Sequence, residues 1–241
     1  MRILVIANSH GAGLAMALKE NPAPPTVQID FLCADARTIP LSVSRDGQSI
    51  VIDPAMVEQV GHVLKLPDHA VENHTIDTAL YDRIFIYGFQ LLSARDGRNW
   101  GKIVAQASTG LSSALWSNLA VDCARASDHV EVLTAIITDE NKGRIVSLPS
   151  PFPNIDCPHF EPAPVSIADR IAAFQTAVAG YFASHGVRFA AMPDTLLDAG
   201  GYATSPRYKN DRVKDSIHLN LAGSGVVMAH ILDIAQNPPH P

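Results

Sequence analysis

Apolar and polar positions fall along this chain in short blocks of two kinds. Ile3 to Ala7 is an unbroken apolar run of strand length, the pattern of a strand buried on both faces. The polar run Asn8-Ser9-His10-Gly11 follows, and Leu14, Ala17 and Leu18 then recur at helical spacing up to about Glu20. Asn21-Pro22-Ala23-Pro24-Pro25 breaks that helix, and Thr26 to Cys33 reads as a second strand. A strand-helix-strand opening predicts a right-handed crossover and a parallel sheet. Asp46-Gly47 between Leu41-Ser42-Val43 and Ser49-Ile50-Val51-Ile52 predicts a hairpin that decorates the sheet. Pro54 to about Leu66 reads as a helix, and Asp82 to Gly88 as a third buried strand ending in a glycine.

Ser112 to Ala126 has helical spacing. Two patterns then compete over Val130 to Thr138. Its β-branched residues favour a strand, whereas Asp128 followed by Glu131 resembles a capping box and Gly143 stands where a helix would end. The second pattern is preferred: a helix from about His129 to Glu140, then a strand over Arg144 to Leu148. Ser147-Leu148-Pro149-Ser150-Pro151-Phe152-Pro153 is too rich in proline to stay in a sheet, which predicts a rigid loop. Ser166 to Ser184 carries Ile167, Ile171, Phe174, Val178 and Phe182 on one stripe of a long helix. Val187 to Met192 reads as the last strand, Asp194 to Ile217 as a loop, and Leu219 to Gln236 as the final helix. No internal repeat or linker interrupts the series. The expectation is a single α/β domain over residues 1–241, a three-layer α/β/α stack on a parallel sheet of about five strands. Ligands bind such sheets at the C-terminal strand ends, where Ser9, Gly88, the proline-rich loop and the 194–217 loop fall.

Composition narrows the field. With 47% hydrophobic and 17% charged residues, the chain is globular. A net charge of -6 and the lack of any Lys/Arg run argue against a nucleic-acid partner. Cys33, Cys123 and Cys157 are odd in number, match no zinc spacing and include no C-x-x-C pair, so reduced thiols are expected. The apolar start is too short for a signal peptide, and no run is long enough to span a membrane. These features predict a cytoplasmic protein that needs no metal or cofactor.

Two short segments carry candidate chemistry. Ser9 lies between the first strand and the first helix, where a helix N-terminus favours developing negative charge and the serine N–H can face an oxyanion. The plainer reading is a helix cap. Asp215-Ser216-Ile217-His218 sets a carboxylate and an imidazole three residues apart at the start of the last helix, so one turn brings them to one side. The plainer reading is again a cap with a surface histidine. Taken together, the order Ser, Asp, His places a nucleophile at one end of the chain and its base and orienter at the other, and a doubly wound sheet can bring those ends to one edge.

On these residues the chain resembles the SGNH (GDSL-type) hydrolases. Val5-Ile6-Ala7-Asn8-Ser9-His10 is similar to their first block, usually Gly-Asp-Ser. Asp215-x-x-His218 followed by Leu219-Asn220 is similar to their last. Phe85-Ile86-Tyr87-Gly88-Phe89-Gln90 is similar to the block that normally reads Gly-x-Asn. The resemblance runs in order from residue 2 to about 230. It implies a flavodoxin-like sheet, a Ser9-His218-Asp215 triad, and a serine esterase or an O-acyltransferase acting on a small or carbohydrate-linked acyl ester. It implies an oxyanion hole from the Ser9 N–H, Gly88 and Gln90, with Asn8 and His10 beside it. Three departures stand out: Ala7-Asn8 replaces Gly-Asp, Gln90 replaces the asparagine, and no glycine block appears over Ala34 to Thr38. The histidine after the serine is similar to Asp-Ser-His variants among carbohydrate O-acyltransferases.

Other readings compete. Gly11-x-Gly13 is part of a dinucleotide fingerprint, with Met16 at the third glycine position and Asp30 or Asp35 as the ribose acid, which gives a nucleotide-binding module. A non-catalytic SGNH-like scaffold is a further alternative. Ala7-x-Ser9-x-Gly11 half-matches the nucleophile elbow of α/β-hydrolases. Asp156-Cys157-Pro158-His159 offers too few ligands for a metal site. His10 either lines the pocket or caps the helix, and Phe152 either walls an acyl pocket or packs on the sheet. Arg95, Arg98, Arg207 and Lys209 lie in predicted edge loops and either meet an anionic substrate or, the preferred reading, are solvated surface charge.

Overall fold

A computed structural model describes residues 1–34, 39, 43–55, 66–70, 72–89, 110–153, 168–201, 203–210 and 218–237. The apolar runs become β1 (Arg2–Ala7), β2 (Gln28–Cys33), β6 (Arg83–Tyr87), β7 (Ile145–Leu148) and β8 (Arg188–Phe189). They form one five-stranded sheet in the order β2-β1-β6-β7-β8, and every neighbouring pair is parallel. This is the flavodoxin-like order that the resemblance implies. A separate antiparallel sheet joins β3 (Val43–Asp46), β4 (Ser49–Ile52) and β5 (Thr75–Asp77). Its first two strands are the expected hairpin, turned at Gly47 with φ +58. The third strand carries no sequence signal beyond three residues.

The continuous apolar run of β1 has a simple cause, since Ile3 to Ala7 are all at 0% exposure between two layers of helices. Leu4 and Ile6 point to one face with Leu32, Ile84, Ile86 and Ile145. There they meet α2 (Ser113–Arg125), α3 (Asp128–Ile136) and α4 (Ala168–Ser184) through Trp116, Leu133, Phe174 and Phe182. Ile3, Val5 and Ala7 point to the other face with Phe85, Tyr87 and Val146. α1 (His10–Glu20) and α5 (Leu221–Gln236) cover that face through Leu14, Val227, Met228 and Ile231. Ile171, Phe174, Val178 and Phe182 form the buried stripe of α4, as their spacing predicts. Among the described residues no helix is long and apolar enough to cross a membrane.

Several boundaries differ from the sequence expectation, each for a local reason. The helix expected over 129–140 ends at Ile136, because the buried Asn141 closes it. Asn141 Nδ2 donates to the Ile136 carbonyl at 2.8 Å, and its Oδ1 accepts from the Thr138 N–H at 2.8 Å. Gly143 lies in the 3-10 turn that follows. The cap is Ser127, whose Oγ accepts from the Val130 N–H at 3.3 Å, in place of the Asp128 box. The last strand, expected over 187–192, pairs only at Arg188 and Phe189. The final helix begins at Leu221, two residues later than expected, with Asn220 as its cap.

Candidate active site

Ser9 occupies the N-cap position of α1 with φ -52 and ψ -24, and its side chain makes no capping hydrogen bond. Its hydroxyl meets His218 instead: Ser9 Oγ lies 2.8 Å from His218 Nε2. The turn is held by Asn8, whose Oδ1 accepts from the His10 N–H at 3.0 Å and whose carbonyl accepts from the Gly11 N–H at 2.9 Å. Asn8 Nδ2 donates to the Gly88 carbonyl at 2.5 Å. One buried amide thus pins the C-terminal ends of β1 and β6 together, a task that needs a donor and an acceptor on the same side chain. Gly88 is required at that junction. Its φ is +80, and a Cβ there would stand 2.6 Å from Asn8 Oδ1 and 3.0 Å from His10 Cβ.

His218 reaches the serine from the far end of the chain. Leu219 bridges Lys209 in antiparallel fashion, and the Asn220 N–H donates to the Tyr208 carbonyl at 2.9 Å. Asn220 Nδ2 donates to the Arg207 carbonyl at 2.8 Å, and its Oδ1 accepts from the Gly223 N–H at 2.9 Å. Asn220 therefore caps α5 and fastens the preceding loop at once, which fixes the backbone that carries His218. The expected helical turn does not carry His218, because that residue precedes the helix. On the side of the imidazole, the His10 ring sits 4.6 Å away with its plane tilted by 34°. The Tyr87 ring in turn meets His10 edge-on at 6.0 Å. Tyr87 is fully buried, and burial pushes its phenol far above the usual range, so it stays neutral.

The described residues thus bring together Ser9, His218, His10, Asn8 and Gly88. Asp215 and Gln90 lie outside them, as do Arg95, Arg98 and the Asp156-Cys157-Pro158-His159 segment. Phe152 is buried in the core with the α2–α4 face. Arg207 stacks its guanidinium 4.5 Å over the Tyr208 ring and donates to the Thr195 carbonyl at 3.0 Å.

A cavity of about 280 Å³ opens at the Ser9–His218 pair. Met16, Tyr87, Asn210 and Ser224 help to wall it, and sequence reasoning assigned none of them there. Ser9, Ala12, Gly13 and Met16 recur at helical spacing, and that was the available signal. Packing accounts for both glycines of the Gly11-x-Gly13 pair. A Cβ on Gly11 would stand 2.4 Å from Cys33 Sγ, and one on Gly13 would stand 2.5 Å from Ser224 Oγ. Among the described residues no group of three or more His, Cys, Asp or Glu side chains is disposed to hold a metal.

No family model and no curated protein matches the chain. Among solved structures, the chain is similar to a presumed acylhydrolase from Bacteroides fragilis NCTC 9343 at 13% identity, over 98% of this chain and 86% of that one, with a TM-score of 0.44. It is similar to a GDSL-like lipase from Bacteroides thetaiotaomicron VPI-5482 at 12% identity, over 98% and 88%, with a TM-score of 0.40. It is also similar to the periplasmic domain of a lipopolysaccharide acetyltransferase from Salmonella ser. Paratyphi A at 14% identity, over 96% and 82%, with a TM-score of 0.41. What the chain does has to be read from its own residues.

Proposed function

We propose that the chain is an SGNH-like serine esterase acting on a small or carbohydrate-linked acyl ester. The observation that carries this reading is the 2.8 Å contact between Ser9 Oγ and His218 Nε2 at the C-terminal edge of the sheet. A helix cap has no use for that contact, and an exposed serine hydroxyl paired to an imidazole is the arrangement that activates a nucleophile. In the proposed reaction His218 Nε2 takes the Ser9 proton as Oγ bonds to the ester carbonyl carbon. The oxyanion that forms is met by the Ser9 and Gly88 N–H groups and the Gln90 amide. Collapse breaks the ester C–O bond, and the leaving alcohol takes the proton from His218. Water then gives a proton to His218, attacks the acyl-serine, and releases the acid as Ser9 regains its proton. Asp215 is assigned to hold the other imidazole nitrogen. An acceptor hydroxyl in place of water gives O-acyl transfer through the same steps, a reading favoured by the Ser9-His10 pair.

Turnover of p-nitrophenyl acetate by wild type, Ser9→Ala and His218→Gln tests the reading. Both variants are expected to lose activity by on the order of a thousandfold or more. A wild type that is no faster than either folded variant overturns it.

A further inference from the structure

The cavity at Ser9 runs away from the serine along α1. Ser9, Ala12, Gly13 and Met16 are spaced by three and four residues, so they share one face of the helix. Leu219, just before α5, and Ser224, in its first turn, line the cavity with them. The two helices approach closely at Gly13, where a Cβ would stand 2.5 Å from Ser224 Oγ. From Ser9 to Met16 the trough extends about 10 Å at the helical rise of roughly 1.5 Å per residue. Met16 stands at its far end and is 55% exposed, one of few large apolar side chains left in water among the described residues. A lone exposed methionine on a helix is unremarkable. At the open end of a trough headed by a nucleophile it has a surface to cover, and its flexible thioether adapts to what lies there.

We propose that this trough is the acyl subsite, that it takes the hydrocarbon tail of a medium-chain acyl ester, and that Met16 sets its length. The inference rests on Ser9 as the nucleophile, because that fixes the ester carbonyl at the head of the trough. From there an octanoyl tail lies along Ala12 and Gly13 and ends under Met16, whereas a butanoyl tail stops short of it. A palmitoyl tail passes Met16 into water and gains nothing from its extra length.

The test compares kcat/KM for p-nitrophenyl acetate, butyrate, octanoate and palmitate in wild type, Met16→Glu and Ala12→Trp. Residues 12 and 16 are both exposed, so neither change threatens the core. Wild type is expected to rise from acetate to octanoate and to gain nothing further with palmitate. Met16→Glu is expected to lower the octanoate-to-acetate ratio by about tenfold, at roughly fourfold per methylene left uncovered. Ala12→Trp lowers the same ratio further. An unchanged ratio in both variants overturns the proposal. If wild type cleaves none of the esters, the nucleophile reading fails separately. Octanoate titrated into Ser9→Ala and followed by backbone amide shifts then decides the subsite. Shifts grouped at residues 12–16 and 219–224 support it, and shifts elsewhere or none overturn it.

Discussion

Asn8→Asp changes one atom, yet it should destabilise this chain strongly. Asn8 is 4% exposed and its Nδ2 lies 2.5 Å from the Gly88 carbonyl oxygen. The change replaces that donor by an oxygen, so two acceptors face each other out of water. Leaving a buried acceptor unpaired costs about 1–3 kcal/mol. The introduced carboxyl escapes part of this by staying protonated and donating to Gly88, which raises its folded-state pKa above the ordinary value of about 3.9. A rise of about three units, typical of buried carboxyls, corresponds to about 4 kcal/mol at pH 8. The sign follows from linkage: the folded state keeps its proton to higher pH than the unfolded state, so the deficit grows as pH rises and shrinks as it falls. Urea unfolding of both proteins should give a deficit of about 4 kcal/mol at pH 8 and about 1.5 kcal/mol at pH 5. Subtracting wild type at each pH removes the titration that the two proteins share. Equal stability at pH 8, or a deficit that does not change with pH, would refute the pinning role of Asn8.

Three further outcomes follow from the same structure. His129 is fully buried with its Nε2 2.6 Å from Ser147 Oγ, and burial lowers its pKa to about 3, partly opposed by the Phe89 backbone. Its neutral form therefore supports stability fully above about pH 6.5, and that support is lost as pH falls toward 3, by up to about 1.4 kcal/mol per unit. His129→Gln, measured by urea unfolding between pH 7 and pH 4.5, should flatten the acid slope; an unchanged slope would count against this assignment. Gly11→Ala places a methyl 2.4 Å from Cys33 Sγ and 2.8 Å from Ala7 Cβ, and should lower stability by about 1–3 kcal/mol, read as a drop in Tm. His10→Ala removes the ring that packs against His218 and should lower kcat more than it raises KM, by roughly tenfold or more, whereas His10→Phe should recover part of the loss. An unchanged kcat in His10→Ala would show that this contact does not position the base.

The layers and the sheet were legible because their signals are local and strong. The apolar run Ile3 to Ala7 names a doubly covered strand, and the stripe of Ile171, Phe174, Val178 and Phe182 names a helix face. The ends were less legible, since they are set by contacts distant in sequence or hidden in a single side chain. Asn141 stops α3 through two hydrogen bonds of its side chain and one from its backbone N–H to Thr138 Oγ1, which no periodicity announces. Asn220 draws its meaning from Arg207 and Tyr208, which the sequence assigned only to a loop. The Ser9–His218 pair was legible as residue types in order, although the helical-turn reason given for the histidine was not the one the fold uses. The cavity walls were hidden because Met16 first reads as the failed third glycine of a nucleotide motif. Its place in the spacing from Ser9 appears only when Ser224 of α5 lines the same cavity.

The central claim is that Ser9 is a nucleophile activated by His218. Fluorophosphonate treatment followed by intact mass and peptide mapping tests it most directly, on wild type and His218→Gln with folding checked by circular dichroism. The account predicts a single adduct on Ser9 in wild type and strongly slowed labelling in His218→Gln. No adduct on the folded wild type, or an adduct on another residue with Ser9 unmodified, would contradict it.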